Sequence, residues 1–314
     1  MLPRALAASL LLLSCLAASA QDYPTKLIRV MLGGGPDAIA RLVGERMQAA
    51  LGQPVVVESR PAVGGTLMSQ EVARAAPDGH TLMFCSSGQI MVVHFYNVAY
   101  DMVRDFAGVT QITTMPWILA VTPSLPVNSV KDLIALAKAK PGTLNYASAG
   151  PGTPPHLVGE MFRIETGVNM VHVPYKTVAQ ASSDLVGGHV QVMFIPATAV
   201  IPMLASKSAR GLAVTTKTRS PALPDLPTMA EAGVQGVVAD AWNGYCAPAG
   251  TPAPVIAKLR TTISGIIRQP DITKRLTGLG NIIVDSSTPE FDAFIKSEVT
   301  KWAKYAKASG AAIR

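Results

Sequence analysis

Along this chain, short runs of consecutive apolar residues alternate with stretches whose apolar positions recur every three or four residues. The runs at 27–32, 54–58, 81–85, 119–122, 144–147, 170–173, 190–194 and 211–214 predict strands. The stretches at 37–50, 130–139, 155–166 and 255–267 predict helices. Strands that are apolar on both faces and separated by helices predict parallel sheets covered by helices on each side, an α/β fold.

The pattern repeats. Segment 35–52 reads G-P-D-A-I-A-R-L-V-G-E-R-M-Q-A-A-L-G, and segment 150–167 reads G-P-G-T-P-P-H-L-V-G-E-M-F-R-I-E-T-G, an offset of 150 − 35 = 115 residues. Both open on Gly-Pro, share L-V-G-E and end on Gly. G-H-T-L-M-F at 79–84 is echoed by G-H-V-Q-V-M-F at 188–194. Two matches in the same order predict two similar α/β lobes, each opening with a strand, a glycine-rich turn and a helix. Ligands of open α/β sheets sit beyond the carboxyl ends of the strands, so the two turns are expected to face each other across one cleft. Glycine lets backbone approach a ligand, and a helix start offers unpaired N–H groups and a partial positive charge. A carboxylate or phosphate is therefore the expected occupant, with Gly34, Gly35, Pro36 and Asp37 in the first turn and Ser148, Gly150, Gly152 and Thr153 in the second. His156, just inside the second helix, is expected to touch the ligand or to pack the helix start.

Composition narrows the class. The chain has 314 residues, 49% apolar and 15% charged, which suits folded domains and excludes disorder. Residues 1–20 carry one Arg, an apolar stretch and Ala18-Ser19-Ala20. They predict a secretory signal peptide cut after Ala20 and a periplasmic mature protein. A lipoprotein site at Cys15 fits less well because Leu13 precedes it. Loss of Arg4 takes the net charge from +7 to +6. The cations are scattered without interleaved aromatics, so no nucleic-acid partner is expected. Cys85 and Cys246 both fall in apolar runs and are expected as buried free thiols, although export permits a disulfide.

Catalytic and metal spacings are missing: there is no G-x-S-x-G, H-E-x-x-H or C-x-x-C, and neither a cofactor nor a metal is expected. His80 and His189 occupy equivalent repeat positions, which favours structural roles. One enzyme-like alternative stays open. Gly33-Gly34-Gly35-Pro36-Asp37-Ala38 matches G-x-G-x-x-A after a strand, and Glu58 ends the next strand where a ribose-binding acid belongs. That pattern describes an exported or mislocalised α/β enzyme binding a dinucleotide.

Several stretches together resemble the extracytoplasmic solute receptors of tripartite tricarboxylate transporters, the Bug family. They are L-G-Q-P-V-V-V-E-S-R-P (51–61), V-G-G-T (63–66), A-A-P-D-G-H-T-L (75–82), K-P-G-T-L-N-Y-A-S-A-G-P-G-T-P-P-H-L (140–157), V-H-V-P-Y-K (171–176), R-S-P-A-L-P-D-L-P-T-M-A-E-A-G (219–233) and A-P-A-G-T-P (247–252). The resemblance implies a two-lobed periplasmic-binding-protein fold of the Venus-flytrap, type II-like kind. Lobe 1 would comprise 21–122 and 243–314, and lobe 2 would comprise 123–242, with hinges near 122–124 and 242–248. It implies a monomer that captures a small mono-, di- or tricarboxylate without catalysis and serves a tripartite transporter membrane component or a sensor. By matching position, the turns 33–37 and 148–153 would hold the carboxylate, partly through ordered water. Ser86 and Ser87 would form a third wall, and Tyr175 and Ala197 would be further contacts. The chain departs from the family's V-P-F-x-P-G-G-x-x-D: its first turn, V-M-L-G-G-G-P-D, is about two residues shorter and lacks the aromatic. Ile195-Pro196 also replaces a common Asp-Asn pair, so a carboxylate without an amino group is the expected ligand.

Overall fold

A computed structural model describes residues 23–33, 37–60 and 63–310. The signal segment and Gly34, Gly35 and Pro36 of the first turn lie outside the described residues. The chain begins with β1 (Ile28–Leu32), α1 (Asp37–Leu51), β2 (Val55–Ser59), a 3-10 turn (Val63–Gly65), α2 (Thr66–Ala73), β3 (Thr81–Ser86), α3 (Ser87–Val92) and β4 (Phe106–Val121). It continues through α4 (Val130–Ala139), β5 (Asn145–Ser148), α5 (Pro154–Thr166), β6 (Val171–Pro174), α6 (Val178–Val186), β7 (Val192–Pro196), α7 (Ala197–Ala205) and β8 (Arg210–Val214). It returns through β9 (Asp240–Pro248), α8 (Ala253–Ile267), α9 (Pro270–Gly278), β10 (Ile282–Ile283) and α10 (Thr288–Ala308).

The sequence repeat is a structural repeat. β1 pairs in parallel with β2, Ile28 opposite Val55, and with β3 on its other side. β5 pairs in parallel with β6, Asn145 opposite Val171, and with β7. α1 and α5 make the crossover in each copy. Period-2 alternation then sorts the apolar side chains. Val30 and Leu32 join Ile39, Val43, Leu259 and Ile263 in one core, whereas Met31, Met83 and Cys85 join a larger one on the opposite face. Cys85 and Cys246 are both buried free thiols, and burial pushes the Cys246 thiol pKa well up.

The sheet is mixed rather than parallel throughout. Its order is β2-β1-β3-β9-β4-β7-β5-β6, with β8 and β10 also on β4. β9 runs antiparallel to β3 and β4, and β7 and β8 run antiparallel to β4. The apolar run expected at 119–122 is only the tail of β4, which holds 16 residues. Polar side chains hide the rest from a hydropathy reading: Thr110 and Thr113 are fully buried, as is nearly all of Gln111. They are buried because they are satisfied. The Thr110 hydroxyl donates to the Ser286 carbonyl at 2.8 Å, and Asn243 Nδ2 donates to Thr113 Oγ1 at 3.2 Å.

β4 changes neighbours midway. Residues from Phe106 to Pro116 face β9, and those from Trp117 to Val121 face β7 and β8. Thr215, just beyond β8, ties the crossing together: its hydroxyl accepts from Trp117 N at 3.1 Å and donates to the Ala239 carbonyl. The chain thus passes between the two sheet halves at Pro116–Trp117 and Ala239–Asp240. Residues 242–248, where a hinge was expected, lie inside β9, paired with β4 throughout and with β3 as well over 243–246. α10 spans the halves as well, with Tyr305 Oη donating to Glu165 of α5 at 2.9 Å and Lys304 pairing with the same carboxylate at 3.4 Å.

Candidate ligand-binding cleft

The second glycine-rich turn leaves β5 at Ser148 and enters α5 at Pro154. Gly150 (φ 112°) and Gly152 (φ 76°) both lie in the left-handed region that favours glycine. Several bonds close the turn on itself, among them the Thr153 N–H donating to the Gly150 carbonyl at 3.3 Å. Ser148 Oγ accepts from Gly150 N at 3.0 Å, His156 Nδ1 accepts from Gly152 N at 3.1 Å, and Thr153 Oγ1 donates to the Gly150 carbonyl at 2.6 Å.

This network revises the helix-start argument. Thr153 occupies the N-cap position of α5 but makes no side-chain cap. Pro154 and Pro155 fill the first two helical positions and have no N–H to offer an anion. Among the described residues, the turn's own bonds therefore leave the amides of Ala149 and His156 uncommitted, so the prolines mainly fix the geometry.

The opposing wall comes from the first half. A Cβ on Gly33 would lie 2.2 Å from Gly65 Cα, so the end of β1 rests directly on the V-G-G-T turn. Gln89 sits against Gly65 and holds the end of β3, its Oε1 accepting from both Ser86 N and Ser86 Oγ at 2.7 Å. Ser86 is half-buried and Ser87 buried. Asp37 opens α1 and pairs with Arg41 at 2.9 Å. The walls meet where Phe95, just past α3, packs on Gly152, whose Cβ would come within 3.1 Å of the ring.

The remaining expected residues fall around this junction. His156 is buried beneath the turn, with its ring edge-on to Phe95 at 5.5 Å. Tyr175 donates its backbone N–H to the Ser148 carbonyl at 2.9 Å and its hydroxyl to Asp184 at 2.6 Å. Ala197 starts α7 at the end of β7, fully buried against Gly280. His80 is structural: its Nε2 accepts from Thr25 N at 3.2 Å. His189, its counterpart in the repeat, is exposed.

One participant was overlooked. His172 lies in the V-H-V-P-Y-K marker, yet that stretch gave no chemical reason to single it out. Its Nε2 is 2.6 Å from Ser148 Oγ, and its ring stacks on His156 at 4.2 Å and on Tyr146 at 4.9 Å. Tyr146, His172, His156 and Phe95 thus form a column of rings running from one half to the other. Burial lowers the pKa of both imidazoles to about 4, with Arg163 reinforcing the effect at His156 and His156 itself reinforcing it at His172. Both are neutral at pH 7.

The dinucleotide alternative fails on its own residues. Glu58 is held by Arg29 through two bonds of 2.8 and 3.0 Å, with Arg60 at 3.4 Å, so it is committed to the protein rather than to a ribose. The Asp37 carboxylate stands at the helix start where a pyrophosphate would have to sit.

Comparisons with known proteins agree. Residues 39–311 match the family described as Tripartite tricarboxylate transporter family receptor. Protein BugT of Bordetella pertussis is 32% identical over 303 residues, covering 94% of this chain and 93% of that protein. A UPF0065 protein of Pseudomonas sp. strain P51 is 38% identical, covering 87% and 82%. Among solved structures, Rpa4515 of R. palustris with adipate superposes with TM-score 0.81 at 34% identity, covering 92% of this chain and 98% of that one. MatC of Rhodopseudomonas palustris with bound malate gives 0.79 at 30%, covering 90% and 100%. Periplasmic binding protein BugD also gives 0.79, at 33%, covering 92% and 99%. A two-lobed α/β sheet, and relatives of this kind along nearly its whole length, place the chain in the tripartite tricarboxylate transporter receptor family, whose Bug members are solute-binding receptors and not enzymes.

Proposed function

We propose that this protein captures a small carboxylated solute, without an amino group, between its two lobes and presents it to a membrane transporter or sensor from the periplasm. The observation that carries this reading is the glycine- and hydroxyl-rich turn after β5, which meets the first half where Phe95 packs on Gly152 and His156. Relatives solved with adipate and with malate support the ligand class. The turn 148–153, Ser86, Ser87 and the first turn through Asp37 are the proposed contacts, with Tyr175 and Ala197 at the margin. We place the lobes much as the sequence suggested, 21–122 with 243–314 and 123–242, with the joint moved to Pro116–Trp117 and Ala239–Asp240, where the strands change neighbours.

A thermal-shift screen tests the reading. Ligand present at a hundred times its Kd stabilises the native state by about 2.7 kcal/mol, which raises the melting temperature by several degrees. Adipate, malate or a related acid is expected to give such a rise, whereas glutamate and NAD are not. A rise with glutamate alone would remove the claim about the amino group. Silence across the mono-, di- and tricarboxylates would remove the ligand class.

A further inference from the structure

We propose that His156 and His172 are positioning residues that lock the turn 148–153 while uncharged, and that proton uptake by His156 unlocks it. The inference rests on the reading of that turn as a carboxylate contact, but its geometry stands independently.

The lock follows from donors and acceptors. The Gly152 amide donates to His156 Nδ1, so that nitrogen carries no proton and the ring's hydrogen sits on Nε2. A second proton must go to Nδ1, and it would then point at the amide hydrogen it now accepts. The pairing cannot survive this change of sign. Gly152 has little room to adjust, because Phe95 lies against it on the other side.

His172 is the brace. Ser148 Oγ accepts from Gly150 N, and its own hydrogen has two acceptors in reach, His172 Nε2 at 2.6 Å and the Gly150 carbonyl at 3.2 Å, of which the imidazole is the nearer. The stacked rings tie the two histidines together at 4.2 Å. Among the described residues, a charge on His156 meets no uncommitted carboxylate. His172 faces it from β6 and Phe95 from beyond α3, while Tyr146 on β5 faces the far side of His172. Arg163 on α5 carries a positive charge, and the Glu160 carboxylate is already taken by Arg163, at 2.7 and 2.9 Å, and by the Tyr146 hydroxyl.

The test uses ligand-free protein, because a carboxylate probe takes up protons in the same range. The Gly150 and Gly152 amide signals are followed by nitrogen–proton NMR from pH 7 to pH 3.5. Both are expected to move together with a midpoint near about 4, the value to which burial lowers His156. In His156→Asn the side-chain oxygen takes the place of Nδ1 and does not titrate, so the Gly152 profile should be flat. A flat profile in the parent, or an unchanged titration in His156→Asn, overturns the lock. If the whole chain unfolds first, His156→Asn must shift the acid midpoint downward; an unmoved midpoint counts against the proposal just as firmly. A second arm measures adipate and malate binding at pH 7. His156→Ala should weaken it at least tenfold, and His156→Asn should recover most of that loss. A responsive Gly152 in a protein that binds no carboxylate retires the proposed function and keeps the lock, and the reverse result does the opposite.

Discussion

At the scale of single residues, the second turn is governed by who donates to whom. Its hydroxyls and glycines were legible in the sequence; their partners were not. Thr153 reads as a cap from its position, yet its hydroxyl turns back to the Gly150 carbonyl; of the two amides a cap can use, Pro155 has none and that of His156 is left unused. His172 was silent because a stack forms only when strands distant in sequence lie side by side. Gly152 offers a direct check. Alanine there would combine a left-handed φ of 76° with a Cβ about 3.1 Å from Phe95. Gly152→Ala should cost roughly 1–3 kcal/mol in urea denaturation. A cost indistinguishable from zero would mean that the turn is looser than its geometry indicates. The buried histidines also fix how stability varies with acidity. Their folded pKa of about 4 lies below the ordinary 6.5, so the unfolded chain takes up protons that the native one refuses. The stabilisation is complete above about 6.5 and falls as pH drops towards about 4. Urea midpoints measured across that window should fall less steeply in a His156→Asn/His172→Gln variant than in the parent.

At the scale of elements, the repeated strand–helix–strand units were legible because each buries an uninterrupted apolar run. β4 and β9 were not, because the crossing strands carry Thr110, Gln111, Thr113 and Asn243 inward. Hydropathy counts such residues as surface, whereas here Thr113 and Asn243 bond to each other between β4 and β9, and Thr110 bonds to the Ser286 carbonyl. The Thr113–Asn243 pair can be weighed. Thr113→Val alone leaves the buried Asn243 amide without its acceptor and should cost about 1–3 kcal/mol. Combining it with Asn243→Val should cost less than the sum of the single changes by at least about 0.5 kcal/mol, because neither partner is then stranded. Simple additivity in a double-mutant cycle would show that the bond contributes nothing beyond its two ends.

At the scale of the whole molecule, the two-lobed architecture was legible from the repeat and from the order of family-like stretches, but the joint was not. Its place depends on where β4 exchanges β9 for β7, a matter of pairing rather than of composition. With a joint this narrow, ligand capture should draw the lobes together. Small-angle scattering with saturating adipate or malate should show a smaller radius of gyration than ligand-free protein. An unchanged radius with calorimetrically proven saturation would mean a cleft that is already shut. The place of β9 has a further consequence, for biosynthesis. This strand lies between β3 and β4, yet 240 − 121 − 1 = 118 residues separate it from the end of β4. A chain emerging from the ribosome or from a translocation pore can assemble all of β5 to β8 while β3 and β4 still expose unpaired edges to each other across an empty slot. Open edges invite wrong partners, so the interval before residue 240 arrives is when the nascent molecule most needs shielding. The lobe that is begun first is the one that is sealed last.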